Sequence, residues 1–119
     1  MKDIRERAFE FAVRIVKLCY ELDKKPGISR NVSRQLLNSG TSVGANTEEA
    51  QAAQSKPGFI SKNSIALKEA RETHYWLRLL IAAGIMPEKK LAELRDEAEE
   101  IKRILGSIVV SAKRGQHIL

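Results

Sequence analysis

Apolar residues recur at alternating steps of three and four in four separate stretches of this chain, with three short breaker segments between them. Few folds other than a bundle of helices can use that pattern. The first stretch carries Ile4, Ala8, Phe11, Ile15, Leu18 and Leu22, and the last carries Leu91, Leu94, Ala98, Ile101, Leu105, Ile108 and Ala112. Each is a seam without a gap, and short connections make successive helices antiparallel neighbours. The expected fold is therefore all-α, an up-down-up-down antiparallel four-helix bundle. It is expected as a single domain over 1–119, with helices at about 3–22, 29–53, 56–83 and 87–113.

A chain of 119 residues can bury one core but not two. Its 43% hydrophobic content rests on Ala, Leu, Ile and Val, with one Trp, two Tyr and three Phe, which suits the spaces between helices. No apolar run approaches the ~20 residues that span a bilayer, and the opening Met1-Lys2-Asp3-Ile4-Arg5-Glu6-Arg7 is too charged for a signal peptide. A soluble, cytoplasmic protein with no membrane contact is expected. The single cysteine, Cys19, sits on the apolar side of helix 1 and reads as a small buried hydrophobe.

Local signals mark the helix ends. Asp3 can cap helix 1, with Glu6 three residues on, and Pro26-Gly27 breaks the chain after Leu22. Ser29 is the expected cap of helix 2. Ser55 is placed to cap helix 3, with Pro57 in its first turn, while Gly84 stops it and Pro87 opens helix 4. The closing Gly115-Gln116-His117-Ile118-Leu119 is expected to fray. Helix 2 holds the one conflict. Propensity makes Asn38 to Asn46 a loop, because it contains Gly40 and Gly44 among weak helix formers. Yet Gly40, Val43, Gly44 and Thr47 form a narrow stripe of mostly small residues at helical spacing, which suits close approach by another helix. The stripe favours a continuous or slightly irregular helix, with the loop as the alternative.

The sequence carries no recognisable catalytic or metal-binding constellation. Bundle dimetal sites use a Glu-x-x-His step. Here Arg71 stands three before His74 and Arg114 three before His117, so neither histidine has its carboxylate. Cys19 has no cation placed to hold a thiolate, and Gly40-x-x-x-Gly44 lacks the Gly-Lys-Ser/Thr ending of a phosphate loop. No catalytic residue, metal or cofactor is expected, and an enzyme is the weakest of the functional readings.

The formal charge of +6 points to polyanionic partners. From Asp23 to Gln35, Lys24, Lys25, Arg30 and Arg34 face one carboxylate. From Ser55 to Gly84 five cations, including Lys62, Lys68, Arg71 and Arg78, face only Glu69 and Glu72. With Lys113 and Arg114 these residues are the candidate phosphate contacts. Asn46, Glu49, Glu69 and Glu72 form a candidate structural polar cluster that would link helices 2 and 3 by hydrogen bonds. Tyr75-Trp76-Leu77-Arg78-Leu79-Leu80 is apolar nearly all round the helix, more than one core needs, so Tyr75, Trp76 and Leu79 are the candidate oligomer interface.

Specific residues also carry a family likeness. Gln35-Leu36-x-x-Ser39, Ser42-Val43-x-Ala45-Asn46-x-x-Glu49 and Ala66-Leu67-x-Glu69-Ala70-x-Glu72-x-x-Tyr75-Trp76-Leu77-x-Leu79-Leu80, with the seam of helix 4, resemble the bacterial four helix bundle protein family, also called the ribosomal-RNA intervening-sequence protein family. The likeness covers nearly the whole chain. One departure is Ala50, where the family pattern Asn-Ile-Ala-Glu-Gly ends in glycine. Members are small bundles without an established catalytic role. The accessory variability determinant of diversity-generating retroelements is similar to them, and Arg103-Ile104-Leu105-Gly106-Ser107 looks like its ending. That protein is a basic five-fold ring that binds nucleic acid and a reverse transcriptase. The resemblance thus implies a homopentamer and a nucleic-acid-associated role. The expected function is a non-enzymatic basic oligomer that binds RNA or DNA through phosphates. The alternative is a protein-interaction scaffold, for example for a reverse transcriptase, without direct nucleic-acid binding.

Overall fold

A computed structural model describes the backbone of residues 2–118 and the side chains of 2–115. It contains α1 (Ile4–Leu22), α2 (Ile28–Gln51), α3 (Lys56–Ala82) and α4 (Glu88–Ile118). The helices run antiparallel in chain order around one core, in a body measuring 52 × 25 × 21 Å. Three of the four neighbour seams are extensive. The seam between α1 and α4, which closes the ring, is the thinnest.

Helix ends follow local chemistry. Asp3 Oδ1 accepts the Glu6 N–H at 2.9 Å, and Ser55 Oγ accepts the Gly58 N–H at 3.1 Å with Pro57 in the first turn. After α3, Gly84 takes φ +72°. Its N–H reaches the Ile81 carbonyl, and the Ile85 N–H reaches that of Leu80, the paired bonds of a Schellman ending. The start of α2 departs from expectation. Its cap is Gly27, at φ +90° and with no side-chain acceptor, so Ser29 lies inside the first turn rather than before it. Only glycine holds that backbone conformation without strain. α4 continues past Lys113, so the closing residues expected to fray are helical as far as Ile118, while Leu119 lies outside the described residues.

α2 passes through Gly40 and Gly44 without interruption. Two glycines in a helix interior cost about 2 kcal/mol against alanine, and tertiary contact offsets that cost. Gly40 lies against the Ile15 side chain and Gly44 against the backbone of Ala8, so α1 and α2 approach closely along this stripe. The hydroxyls of Thr41 and Thr47 and the amide of Asn46 turn back onto carbonyls four residues earlier, at 2.5, 2.7 and 2.9 Å. These weak helix formers are thereby satisfied without leaving the helix.

The core joins Phe11 and Ile15 of α1, Leu36 and Val43 of α2, Leu77 and Leu80 of α3, and Leu91, Ile101 and Leu105 of α4. Each such side chain contributes roughly 1.5–3 kcal/mol by leaving water. Toward the end of α4 the seam drifts, so that Val109 is buried and Ile108 only half-buried, as a 3.6-residue turn requires over a long helix. Few polar links cross between helices. Cys19 Sγ donates to the Ser33 carbonyl at 3.3 Å while Ser33 Oγ donates back to the Cys19 carbonyl at 3.2 Å. Thr73 Oγ1 stands 2.9 Å from Ser39 Oγ, joining α3 to α2. The Arg7 guanidinium grips both carboxylate oxygens of Glu97 at 2.5 and 3.0 Å, joining α1 to α4.

Candidate nucleic-acid interface

α3 turns Lys68, Arg71, Tyr75 and Arg78 outward, at successive steps of three, four and three, and all four are exposed. They extend along about 15 Å of helix at 1.5 Å per residue. Among the described residues, none of the three cations has a carboxylate within ion-pairing distance. The two carboxylates of α3, Glu69 and Glu72, are half-buried beside this row.

His74 borders the stripe on the α4 side. It is largely buried, with Nε2 3.5 Å from Glu99 Oε2. Burial holds the imidazole below its ordinary pKa; Glu99 opposes that, and the charges of Lys102, Arg78 and Arg95 reinforce it. Glu99 also accepts from Lys102 at 2.7 Å and Arg103 at 3.2 Å, and the Lys102 hydrogen bond is the foremost reason its carboxyl sits below the usual range. The α4 edge is thus a neutral imidazole and one carboxylate among several cations.

The other candidate cations lie elsewhere. Lys24 pairs with Glu21 at 3.2 Å and stands over the Tyr20 ring, and Arg30 donates to the Asp23 carbonyl at 3.2 Å. With Lys25 and Arg34 they occupy the α1–α2 end of the molecule. Lys62 is held by Glu49 at 2.6 Å across α2 and α3. Lys113 and Arg114 are exposed at the far end of α4. The ten residues therefore share no single face, and only Lys68, Arg71 and Arg78 form an unpaired row.

The four residues of the candidate polar cluster do not join in one network. Asn46 bonds to Ser42 in its own helix, Glu49 pairs with Lys62, and Glu72 accepts the Trp76 indole N–H at 3.4 Å. The Glu69 carboxylate accepts no hydrogen bond among the described residues, and burial, followed by the charge of Glu72, pushes its pKa up. The buried α2–α3 link is Ser39 with Thr73, which residue type made hard to single out.

The candidate oligomer residues separate in the same way. Tyr75 is 50% exposed and Leu79 is exposed, but Trp76 packs against the core, with the Tyr75 ring edge-on at 5.2 Å. A second exposed apolar strip lies on α1: Phe9 (61%), Val13, Val16 and Tyr20 (72%). Their steps of four, three and four were a readable signal, overshadowed by the stronger seam on the opposite side of that helix. Cys19 is buried and its thiol pKa is pushed up by that burial, which disfavours a thiolate.

Comparison with known proteins bears on the family and the fold. The model of the family described as 23S rRNA-intervening sequence protein matches residues 2–107. A crystal structure of a protein with unknown function from the S23 ribosomal protein family of Bacteroides thetaiotaomicron VPI-5482 is 42% identical. The match covers 90% of this chain and 98% of that one, with a TM-score of 0.83. No curated protein matches the chain.

Proposed function

The chain belongs to the 23S rRNA-intervening sequence protein family, and we propose that it acts as a non-enzymatic, self-associating basic bundle that holds RNA or DNA by its phosphates. The observation that carries this reading is the exposed row Lys68, Arg71, Tyr75 and Arg78, whose cations have no carboxylate partner among the described residues. Its length of about 15 Å corresponds to roughly four steps of a strand at ~3.4 Å each, enough for several phosphate contacts. The family's name makes RNA the polyanion to test first.

Self-association is supported by two different exposed apolar patches, the α1 strip and the α3 patch around Tyr75 and Leu79. Two unlike patches on one chain are what a head-to-tail ring requires. The likeness to the accessory variability determinant sets the expected number at five. Repetition around a ring would multiply weak phosphate contacts into useful avidity.

The deciding measurement is a salt titration of binding to mixed-sequence RNA and to duplex DNA, with subunit mass followed by light scattering. Each phosphate contact contributes a slope of about −0.7 on single strands and about −0.9 on duplex DNA in log affinity against log salt. Lys68→Gln or Arg71→Gln should make the slope shallower by about that much per engaged subunit. No binding at low salt, or an affinity indifferent to salt, would favour the scaffold reading, in which the apolar strips hold a reverse transcriptase or another protein.

A further inference from the structure

The thin α1–α4 seam opens, at the end of the bundle that carries the α1–α2 and α3–α4 turns, into a cavity of about 570 Å³. Its floor is apolar: Leu94 is buried, and Leu18 and Met86 are half-buried. Its rim is basic. Lys17, Lys25 and Lys90 line it, and among the described residues none of them has a carboxylate partner. The one carboxylate in the lining, Glu21, is engaged by Lys24 at 3.2 Å, and Arg14 reaches Glu93 only at 3.7 Å. Three of these lining residues, Arg14, Lys17 and Lys90, belong to none of the clusters that the charge distribution of the sequence singled out.

We propose that this cavity is a binding site for a small amphipathic anion, with an apolar body on the Leu18, Met86 and Leu94 floor and a carboxylate or phosphate head among Lys17, Lys25 and Lys90. The volume falls within the usual range of small-molecule sites, roughly 300–1,000 Å³. Both halves of the site are required by its chemistry. A polyanion alone leaves the apolar floor wet, and a neutral hydrocarbon leaves three lysines without counter-charge. The two halves also make separable contributions. Each methylene buried on the floor tightens binding about fourfold. Each lysine at this solvated rim contributes a factor of up to about five.

The test is isothermal titration calorimetry of the full chain with octanoate, decanoate, decanol, decyltrimethylammonium and inorganic phosphate, all below their aggregation concentrations. Methyl NMR maps where each ligand sits. Decanoate should bind once per chain and roughly fifteenfold more tightly than octanoate, with shifts at Leu18, Met86 and Leu94. Decanol should bind more weakly, and the cationic amphiphile and phosphate not measurably. The double variant Lys17→Gln/Lys90→Gln should weaken decanoate about tenfold or more and leave decanol unchanged. Leu18→Gln, at a half-buried position and with an unchanged helical signal by circular dichroism, should weaken both. Equal affinity for decanoate and decanol would overturn the proposal, as would insensitivity to the two lysines or shifts confined to Phe9, Val13, Val16 and Tyr20. Displacement of decanoate by phosphate or RNA at matched affinity would reassign the rim to bare phosphate groups.

Discussion

Gly40 and Gly44 share a helix and a face, yet alanine should have opposite effects at the two. A Cβ built on Gly40 falls 2.6 and 2.8 Å from Ile15 Cγ2 and Cγ1 and 3.0 Å from Ile15 Cβ. Favourable carbon contacts lie at about 3.5–4.0 Å. Rotating Ile15 could move its γ carbons but not its Cβ, and the side chain is fully buried with little room to turn. The helices must then separate by several tenths of an ångström. Overpacking of this kind costs about 1–3 kcal/mol, against a helix-propensity gain of about 1 kcal/mol for Gly→Ala. Gly40→Ala should therefore be destabilising, by up to about 2 kcal/mol. At Gly44 the nearest atoms are the Ala8 carbonyl oxygen at 3.4 Å and Ala12 Cβ at 3.5 Å, near ordinary contact. There the propensity gain should prevail, giving a stabilisation of about 0.5–1 kcal/mol. Urea unfolding followed by circular dichroism, at fixed protein concentration because assembly raises apparent stability, measures both. Adding Ile15→Val to Gly40→Ala should recover part of the loss, a coupling that a double-mutant cycle would read. A Gly40→Ala protein as stable as the parent would refute the close α1–α2 approach.

Four further outcomes are expected. Among the described residues the buried Asn63 Oδ1 has no partner and its amide donates only to Phe59 of its own helix, so Asn63→Leu should raise stability by about 1 kcal/mol in the same unfolding assay; a loss would mean the oxygen has an essential partner. His74 has a depressed pKa, so its stabilising neutral state is present above the ordinary imidazole value and lost as pH falls through the lowered one; as pH falls below about 6.5 the parent should lose more stability than His74→Gln does. Glu69 has a raised pKa, so its charged form is disfavoured in the folded protein; Glu69→Gln should be more stable than the parent at pH 7, with the difference vanishing as the carboxyl protonates in acid. Finally, Val16→Lys on the exposed α1 strip should reduce the particle mass seen by light scattering while leaving the helical signal intact; Trp76→Ala is the poorer probe, because that ring packs on the core and its loss would also weaken the fold.

Helix ends and seams were legible because their causes lie within a few residues. Asp3 and Ser55 cap through their own side chains, Gly84 supplies a positive φ, and the periodic Leu and Ile positions define the inward faces. The continuity of α2 was not decided locally, since its propensity points to a loop; Ile15, twenty-five positions away from Gly40 in the chain, makes the small residues useful. The functional surface divides in the same way. Composition and charge distribution announced a basic protein, but a cation's availability depends on what the neighbouring helix offers it. Lys62 meets Glu49 across the α2–α3 seam, while Lys68, Arg71 and Arg78, on the same helix, pair with no carboxylate among the described residues. Likewise the lysines at positions 17, 25 and 90 are scattered in sequence, and only the antiparallel return of α4 beside α1 gathers them over one apolar floor. Periodicity and capping are properties of one helix and can be read along it, whereas pairing and enclosure are properties of two or more helices and exist only once their packing has set the distances between them.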